Sequence, residues 1–164
     1  MLDIQRVHNL TGWRSARALI ESYALELGVD LSFQGLAKEL DSLSRAYPTP
    51  GGVWLASRQG EAVGCVALRP LGDGEAELKR LYALPHARRS GVGRALLVTA
   101  LTAARAAGFR GVRLDTVRGM EAAQVLYASL GFAPIPPYRE NPLPGAQFLE
   151  LVFQETDGKP FSRG

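Results

Sequence analysis

The stretch Pro85-His86-Ala87-Arg88-Arg89-Ser90-Gly91-Val92-Gly93-Arg94 constrains this chain more than any other. It follows a β-prone run, Glu75 to Leu84, and opens a run with strong helical periodicity, Val92 to Ala107. A strand that passes into a helix through a short glycine loop belongs in a layered fold, with helices packed on a sheet. Backbone N–H groups at a helix start are unpaired and lie at the positive end of the helix dipole, so they bind anions. Glycine at 91 and 93 removes the Cβ that would hold a phosphate away from that backbone. Arg88, Arg89 and Arg94 add charge. The chain as a whole is nearly balanced, with 19 basic and 16 acidic residues for a net +3. Lys79, Arg80, Arg88, Arg89 and Arg94 form a local cluster that suits a phosphate-bearing partner. No Lys/Arg stripe recurs along the chain, which argues against nucleic acid.

The loop is not a dinucleotide fingerprint, because the third glycine would fall at Leu96. No Gly-Lys-Ser/Thr triplet is present, so it is not a Walker loop. What remains is Arg88-x-x-Gly91-x-Gly93, weak alone, and open to a plain reading as the first turn of a surface helix. Its surroundings read as alternating strands and helices. Ile4, Arg6 and His8 alternate with Gln5, Val7 and Asn9 as in a first strand. Thr11 caps a helix to about Leu27, stopped by Gly28. Leu36, Leu40 and Leu43 are spaced for a second helix, about Phe33 to Tyr47. Val53–Ser57 and Ala62–Leu68, joined by Gln59-Gly60, predict a hairpin. Val112–Val117 and Phe148–Phe153 read as strands. Met120–Leu130 reads as a helix stopped by Gly131. Pro48–Gly52 and Pro70–Gly74 read as loops inside one domain, and Pro134–Gly145 as a third Pro/Gly-rich segment. The order predicts an α/β layer fold with a mixed sheet.

A length of 164 residues, with 46% hydrophobic and 21% charged, fits one soluble globular domain. The longest apolar stretch, Ala95–Ala104, is too short to span a bilayer, so no membrane partner is expected. The start lacks a signal-peptide pattern, which points to the cytoplasm. One cysteine excludes an internal disulfide, and one Cys with two His leaves too little for a structural zinc site, so no metal is expected.

The glycine loop resembles the acyl-coenzyme A loop of the GCN5-related N-acetyltransferase (GNAT) superfamily, Arg/Gln-x-x-Gly-x-Gly/Ala between the fourth strand and third helix. The resemblance extends from Val53 to the final strand. Gly64–Leu68 looks like the family's third strand, Glu77–Pro85 its fourth, and Leu114-Asp115-Thr116 its fifth. Tyr127-x-x-x-Gly131-Phe132 matches its tyrosine followed by Gly-Phe. Pro137-Tyr138, Asn141-Pro142 and Gly145 resemble a loop of a small bacterial-type acetyltransferase branch. The resemblance implies one α/β domain over residues 1–164. Its central sheet would be mixed, mostly antiparallel and twisted, with about seven strands flanked by about four helices. The sheet would splay between the fourth and fifth strands. Residues 1–50 would form a variable N-terminal part, 51–153 the cofactor-binding and catalytic core, and 154–164 a tail.

The implied reaction is acetyl transfer from acetyl-coenzyme A to a primary amine of a small molecule, by direct attack in a ternary complex. Such a transfer must deprotonate the amine, stabilise an oxyanion and release a thiolate. Tyr127 suits the last task, since a phenol keeps its proton at neutral pH; the alternative is a core tyrosine sharing a helix face with Ala123 and Leu130. Glu77 is the candidate base, at the spacing before Gly91 seen in the histone acetyltransferase branch; the alternative is a strand residue paired with Lys79 or Arg80. The backbone of Leu81, Tyr82 and Ala83 would meet the pantetheine arm. Arg88, Arg89, Ser90, Gly91, Val92, Gly93 and Arg94 would hold the phosphates. Phe33, Tyr138 and Asn141 are candidate acceptor contacts. Cys65 reads as a small buried hydrophobe and His86 as a surface residue. Rival readings are a non-catalytic acyl-coenzyme A sensor or subunit and a protein lysine or N-terminal acetyltransferase. The resemblance leaves a homodimer open.

Overall fold

The computed structural model describes residues 1–28, 30–32 and 35–154. Strands β1 (Leu2–Arg6), β2 (Gly52–Arg58), β3 (Glu61–Gly72), β4 (Glu75–Ala83), β5 (Gly111–Thr116), β6 (Ala133–Ile135) and β7 (Gln147–Val152) share one sheet. Its order is β1-β2-β3-β4-β5-β7-β6. All neighbours are antiparallel except β4 and β5, which run parallel. The expected mixed, mostly antiparallel sheet is therefore present.

Turn chemistry sets the first hairpins. Gln59 (φ 50°) and Gly60 (φ 78°) both take positive φ, as a two-residue hairpin turn requires. Asp73 and Gly74 do the same between β3 and β4. That second turn corrects the expected loop at Pro70–Gly74, because β3 runs on to Gly72. Pro70 is tolerated there because the β2 ladder ends at Leu68, leaving its nitrogen on an open edge. The three-residue β6 gave too short a pattern to be read from sequence.

Helix α1 (Leu10–Leu27) is capped by Asn9, whose side chain accepts from the Gly12 N–H at 2.8 Å, and not by Thr11. The single helix expected from Phe33 to Tyr47 is instead two short ones, α2 (Leu36–Asp41) and α3 (Leu43–Ala46). Ser42, extended at φ −153° and ψ 92°, separates them. Phe33 lies outside the described residues. Helices α4 (Val92–Ala106) and α5 (Glu121–Ser129) follow the expected bounds closely.

The helices make two layers. Leu96, Leu97 and Leu101 of α4 and Tyr127 of α5 pack with Ala76, Leu78, Val112 and Leu114 on one sheet face. Ala16, Leu19 and Ile20 of α1 pack with Val53, Cys65, Ala67 and Tyr82 on the other. Among the described residues, no helix is long and apolar enough to cross a membrane.

Between the layers the sheet opens. β4 and β5 pair only at Glu75↔Gly111, Ala76↔Val112 and Glu77↔Arg113, although both strands continue. Just beyond, β4 bulges: Cys65 pairs with Tyr82 and Ala67 with Lys79, so Arg80 and Leu81 together oppose Val66. Arg80 sits at φ 61°, a strained value for a side chain of its size. A bidentate contact to Glu39 of α2, at 2.9 and 3.0 Å, holds its buried guanidinium in place.

Candidate active site

The glycine loop opens α4 as the sequence suggested. Gly91 is the N-cap at φ 84°, a left-handed conformation that glycine adopts without strain. No side chain caps the helix, which leaves its first amides to solvent or a ligand. A Cβ on Gly93 would meet nothing closer than Leu126 Cδ2 at 3.7 Å. The approach to the backbone is thus open, and it lies beside α5. Ser90 is braced by Arg58, which donates to its hydroxyl (2.9 Å) and carbonyl (3.2 Å). Arg89 is exposed on the loop and Arg94 on the first turn of α4. Arg88 behaves differently. Its guanidinium donates to the Ala83 carbonyl at 3.0 Å and pairs with Glu26 of α1 at 2.6 Å, over the ring of Tyr82. Arg88 thus ties the glycine loop to α1. Tyr82 joins the same tie by donating to Glu26 at 2.7 Å.

The opening between β4 and β5 is a narrow cleft that opens to solvent. Tyr127, Leu81, Lys79, Asp115 and Asn141 line it. Tyr127 reaches it from α5 because Gly131, in the left-handed region at φ 98°, turns the chain back on the helix. The Phe132 N–H bonds to the Tyr127 carbonyl and the Gly131 N–H to that of Ala128, a Schellman cap. Phe132 then packs on the Tyr127 ring, with centroids 5.5 Å apart. This is the physical content of the Tyr-x-x-x-Gly-Phe pattern. Burial raises the Tyr127 phenol above its ordinary range, so it stays protonated. Two buried polar atoms along the cleft, Lys79 Nζ and Thr116 Oγ1, meet no hydrogen-bond partner among the described residues.

Glu77 is fully buried. Its Oε1 accepts from Arg69 at 2.8 Å; its Oε2 accepts from the Tyr138 hydroxyl at 2.7 Å and from Arg139. Burial alone would raise this carboxyl. The charges of Lys79, Arg69 and Arg139 and the Tyr138 hydroxyl outweigh it and hold Glu77 below the ordinary range. A carboxylate with both oxygens engaged and a lowered pKa is a poor proton acceptor. The role as base expected for Glu77 is therefore not the one this geometry supports. It fixes Tyr138 and Arg139 of the Pro/Gly-rich loop on the sheet, while Asn141 donates to Asp115 at 3.0 Å.

A family model described as "Acetyltransferase (GNAT) family" matches residues 17–132. The chain belongs to the GNAT acetyltransferase family. An uncharacterized N-acetyltransferase of Schizosaccharomyces pombe is 36% identical over 138 residues, covering 82% of this chain and 85% of that one. A GNAT-family acetyltransferase structure from Staphylococcus aureus Mu50 superposes with a TM-score of 0.79 at 21% identity, over 94% of this chain and 100% of that one. A PaiA N-acetyltransferase from Thermoplasma acidophilum, solved in complex with coenzyme A, gives 0.72 at 16%, over 93% and 99%. The splayed pair β4/β5 and the α4 glycine loop are thus parts of a GNAT fold.

In this GNAT chain the structure brings Tyr127, Leu81 and Asn141 to one cleft, with Tyr138 beside it on Glu77. Sequence reading missed Lys79 as a cleft residue, having counted it with the phosphate cluster. The signal was available: Glu77 and Lys79 alternate with Leu78, so one face of β4 is polar although the strand is central. It also missed Arg58 and Glu26, whose partners lie 32 and 62 residues away. Cys65 is structural: its thiol donates to the Arg80 carbonyl at 3.3 Å, and burial pushes it up to about 12. His86 is exposed, 3.7 Å from Glu61.

Proposed function

We propose that this protein is an acetyl-coenzyme A-dependent N-acetyltransferase that acetylates a primary amine on a small molecule, by direct transfer within a ternary complex. One observation carries the reading. Helix α5 borders both halves of the required site: Leu126 abuts the open face of Gly93, and its neighbour Tyr127 lines the cleft between β4 and β5. The uncapped amides of α4 and the bare backbone at Gly91 and Gly93 fit a pyrophosphate. Exposed Arg89 and Arg94 supply charge. The edge of β4 past Glu77 lacks its β5 partner and suits an extended amide-bearing arm along Leu81–Ala83. The coenzyme complex of the Thermoplasma structure supports this ligand class.

Acetyl-coenzyme A supplies an acetyl thioester as donor. The amine nitrogen gains the acetyl carbon as the carbon–sulfur bond breaks. Tyr127 gives its phenolic proton to the departing sulfur, and the proton that the amine nitrogen sheds passes to water, which reprotonates the phenolate and closes the cycle. A backbone N–H of the β4 bulge, around Leu81, faces the oxygen that gains charge. Residues 1–50 and the Pro134–Gly145 loop frame the acceptor side, with Tyr138 held by Glu77 and Asn141 by Asp115. Compartment and partners follow from this reading: a cytoplasmic enzyme of small-molecule metabolism. The test is thiol release from acetyl-coenzyme A with a panel of amines. Turnover on any small amine supports the proposal. Coenzyme binding with no turnover on any amine turns it into a sensor.

A further inference from the structure

We propose that the acceptor is an amine that also carries a carboxylate, and that the Lys79 ammonium is the counter-ion for that carboxylate. The inference rests on the acetyltransferase reading and deepens it. Three observations carry it.

Lys79 is only 6% exposed, and its Nζ meets no hydrogen-bond partner among the described residues. A buried ammonium without a partner is costly, and proteins tolerate it where a ligand supplies the missing charge. Glu77 and Asp115 act on Lys79 through charge, but neither bonds to its Nζ. Glu77 is spent on Arg69, Arg139 and Tyr138. Asp115 accepts from Asn141 at 3.0 Å. The nearby cations, Arg80 and Arg69, only increase the need for an anion.

The second observation is the side of the sheet. Ala76 and Leu78 pack under α4, and so do Val112 and Leu114 of β5. Strand alternation therefore sends Lys79 and Asp115 to the opposite face, that of α1. Tyr23 and Leu27 of α1 line the cleft there. Lys79 is thus turned away from the glycine loop and toward the N-terminal helices. The third observation is that both charges occur in one cleft: Lys79 from β4 and Asp115 from β5 line it across the gap. A ligand bearing both an amine and a carboxylate complements both.

The experiment compares matched acceptors, leucine against isopentylamine and phenylalanine against phenethylamine, in wild type, Lys79→Met and Lys79→Arg. Wild type should favour the amino acid. Lys79→Met should raise KM for the amino acid by about tenfold to a hundredfold, the worth of a charged hydrogen bond. It should leave the decarboxylated amine unaffected, and Lys79→Arg should restore part of the loss. Because the methionine removes a buried charge, its Tm should not fall, which separates the effect from misfolding. Equal use of both members of each pair, or an amino-acid KM unmoved by Lys79→Met, overturns the inference while leaving the acetyltransferase reading intact. If no amine is acetylated, that parent reading fails. Thermal stabilisation by N-acetyl-leucine, present in wild type and lost in Lys79→Met, then still supports the counter-ion role, and its absence overturns it.

Discussion

At the scale of single residues, burial decides which groups can do chemistry. Tyr127 has a protected proton and a hydroxyl that no protein hydrogen bond fixes. Tyr127→Phe should lower kcat by about a hundredfold or more, the usual worth of a positioned acid, with KM and Tm nearly unchanged. Steady-state thiol release and a melting curve check both parts. Glu77→Gln makes the opposite case. Removing this charge leaves Arg69 and Arg139 without their counter-ion. The loss should be roughly 3 kcal/mol, at the low end for a broken buried pair because both arginines are partly exposed. Denaturant unfolding reads that loss. The pH profile of the residual activity should keep its shape, and a shifted profile would restore Glu77 as the base.

Lys79 gives a pH prediction with a definite sign. Burial, with the Arg80 charge, lowers its ammonium from 10.5 to about 8. Below about pH 8 both folded and unfolded chains carry the proton, and the full burial penalty applies. Between about 8 and 10.5 the unfolded chain binds more protons, so stability rises with pH. The stability of wild type minus that of Lys79→Met should climb through that window. A flat difference would mean that Lys79 is not buried as a charge. None of this was visible in sequence, where Lys79 was one basic residue among five. That its Nζ bonds to neither acid depends on Arg69, Arg139, Tyr138 and Asn141 occupying their oxygens, and only the folded chain brings them together.

At the scale of elements, the local signals were the legible ones. Gln59-Gly60 named its hairpin, and Gly28 and Gly131 named their helix ends. Each needs only a few neighbouring residues. Signals that depend on distant partners were not legible: Pro70 inside a strand, the break at Ser42, and Arg88 reaching α1. The loop that opens α4 offers a clean test. A methyl group on Gly93 meets nothing within van der Waals contact except a leucine tip. Gly93→Ala should therefore leave the unfolding free energy within about 0.5 kcal/mol of wild type, as for an unstrained change away from the core. It should weaken coenzyme A by about tenfold in a calorimetric titration, by crowding the backbone face the phosphates need. Unchanged affinity would move the phosphate site elsewhere.

At the scale of the whole molecule, the N-terminal part is joined to the core by charge as well as by packing. Glu39 of α2 accepts both arms of Arg80 at the β4 bulge. Glu39→Ala removes the bidentate acceptor of a buried guanidinium and should cost about 3 kcal/mol, or on the order of 10 °C in Tm for a chain of this size. Differential scanning calorimetry reads it directly. The family resemblance made the overall architecture legible, because strand order and the glycine loop are shared features. It did not reveal how residues 1–50 grip the sheet, since that contact is carried by individual pairs such as Glu39 with Arg80 and Glu26 with Arg88.

The three register pairs joining β4 to β5 have a consequence for how the molecule breathes. Among the described residues they are the sole ladder between a four-stranded half, β1 to β4, and a three-stranded half, β5 to β7. Amide protons along the diverging stretches of β4 and β5 should exchange with deuterium faster than those of the β2–β3 ladder. A ligand lying along β4 would slow that exchange on both sides of the gap at once, so the two halves of the sheet would gain protection together.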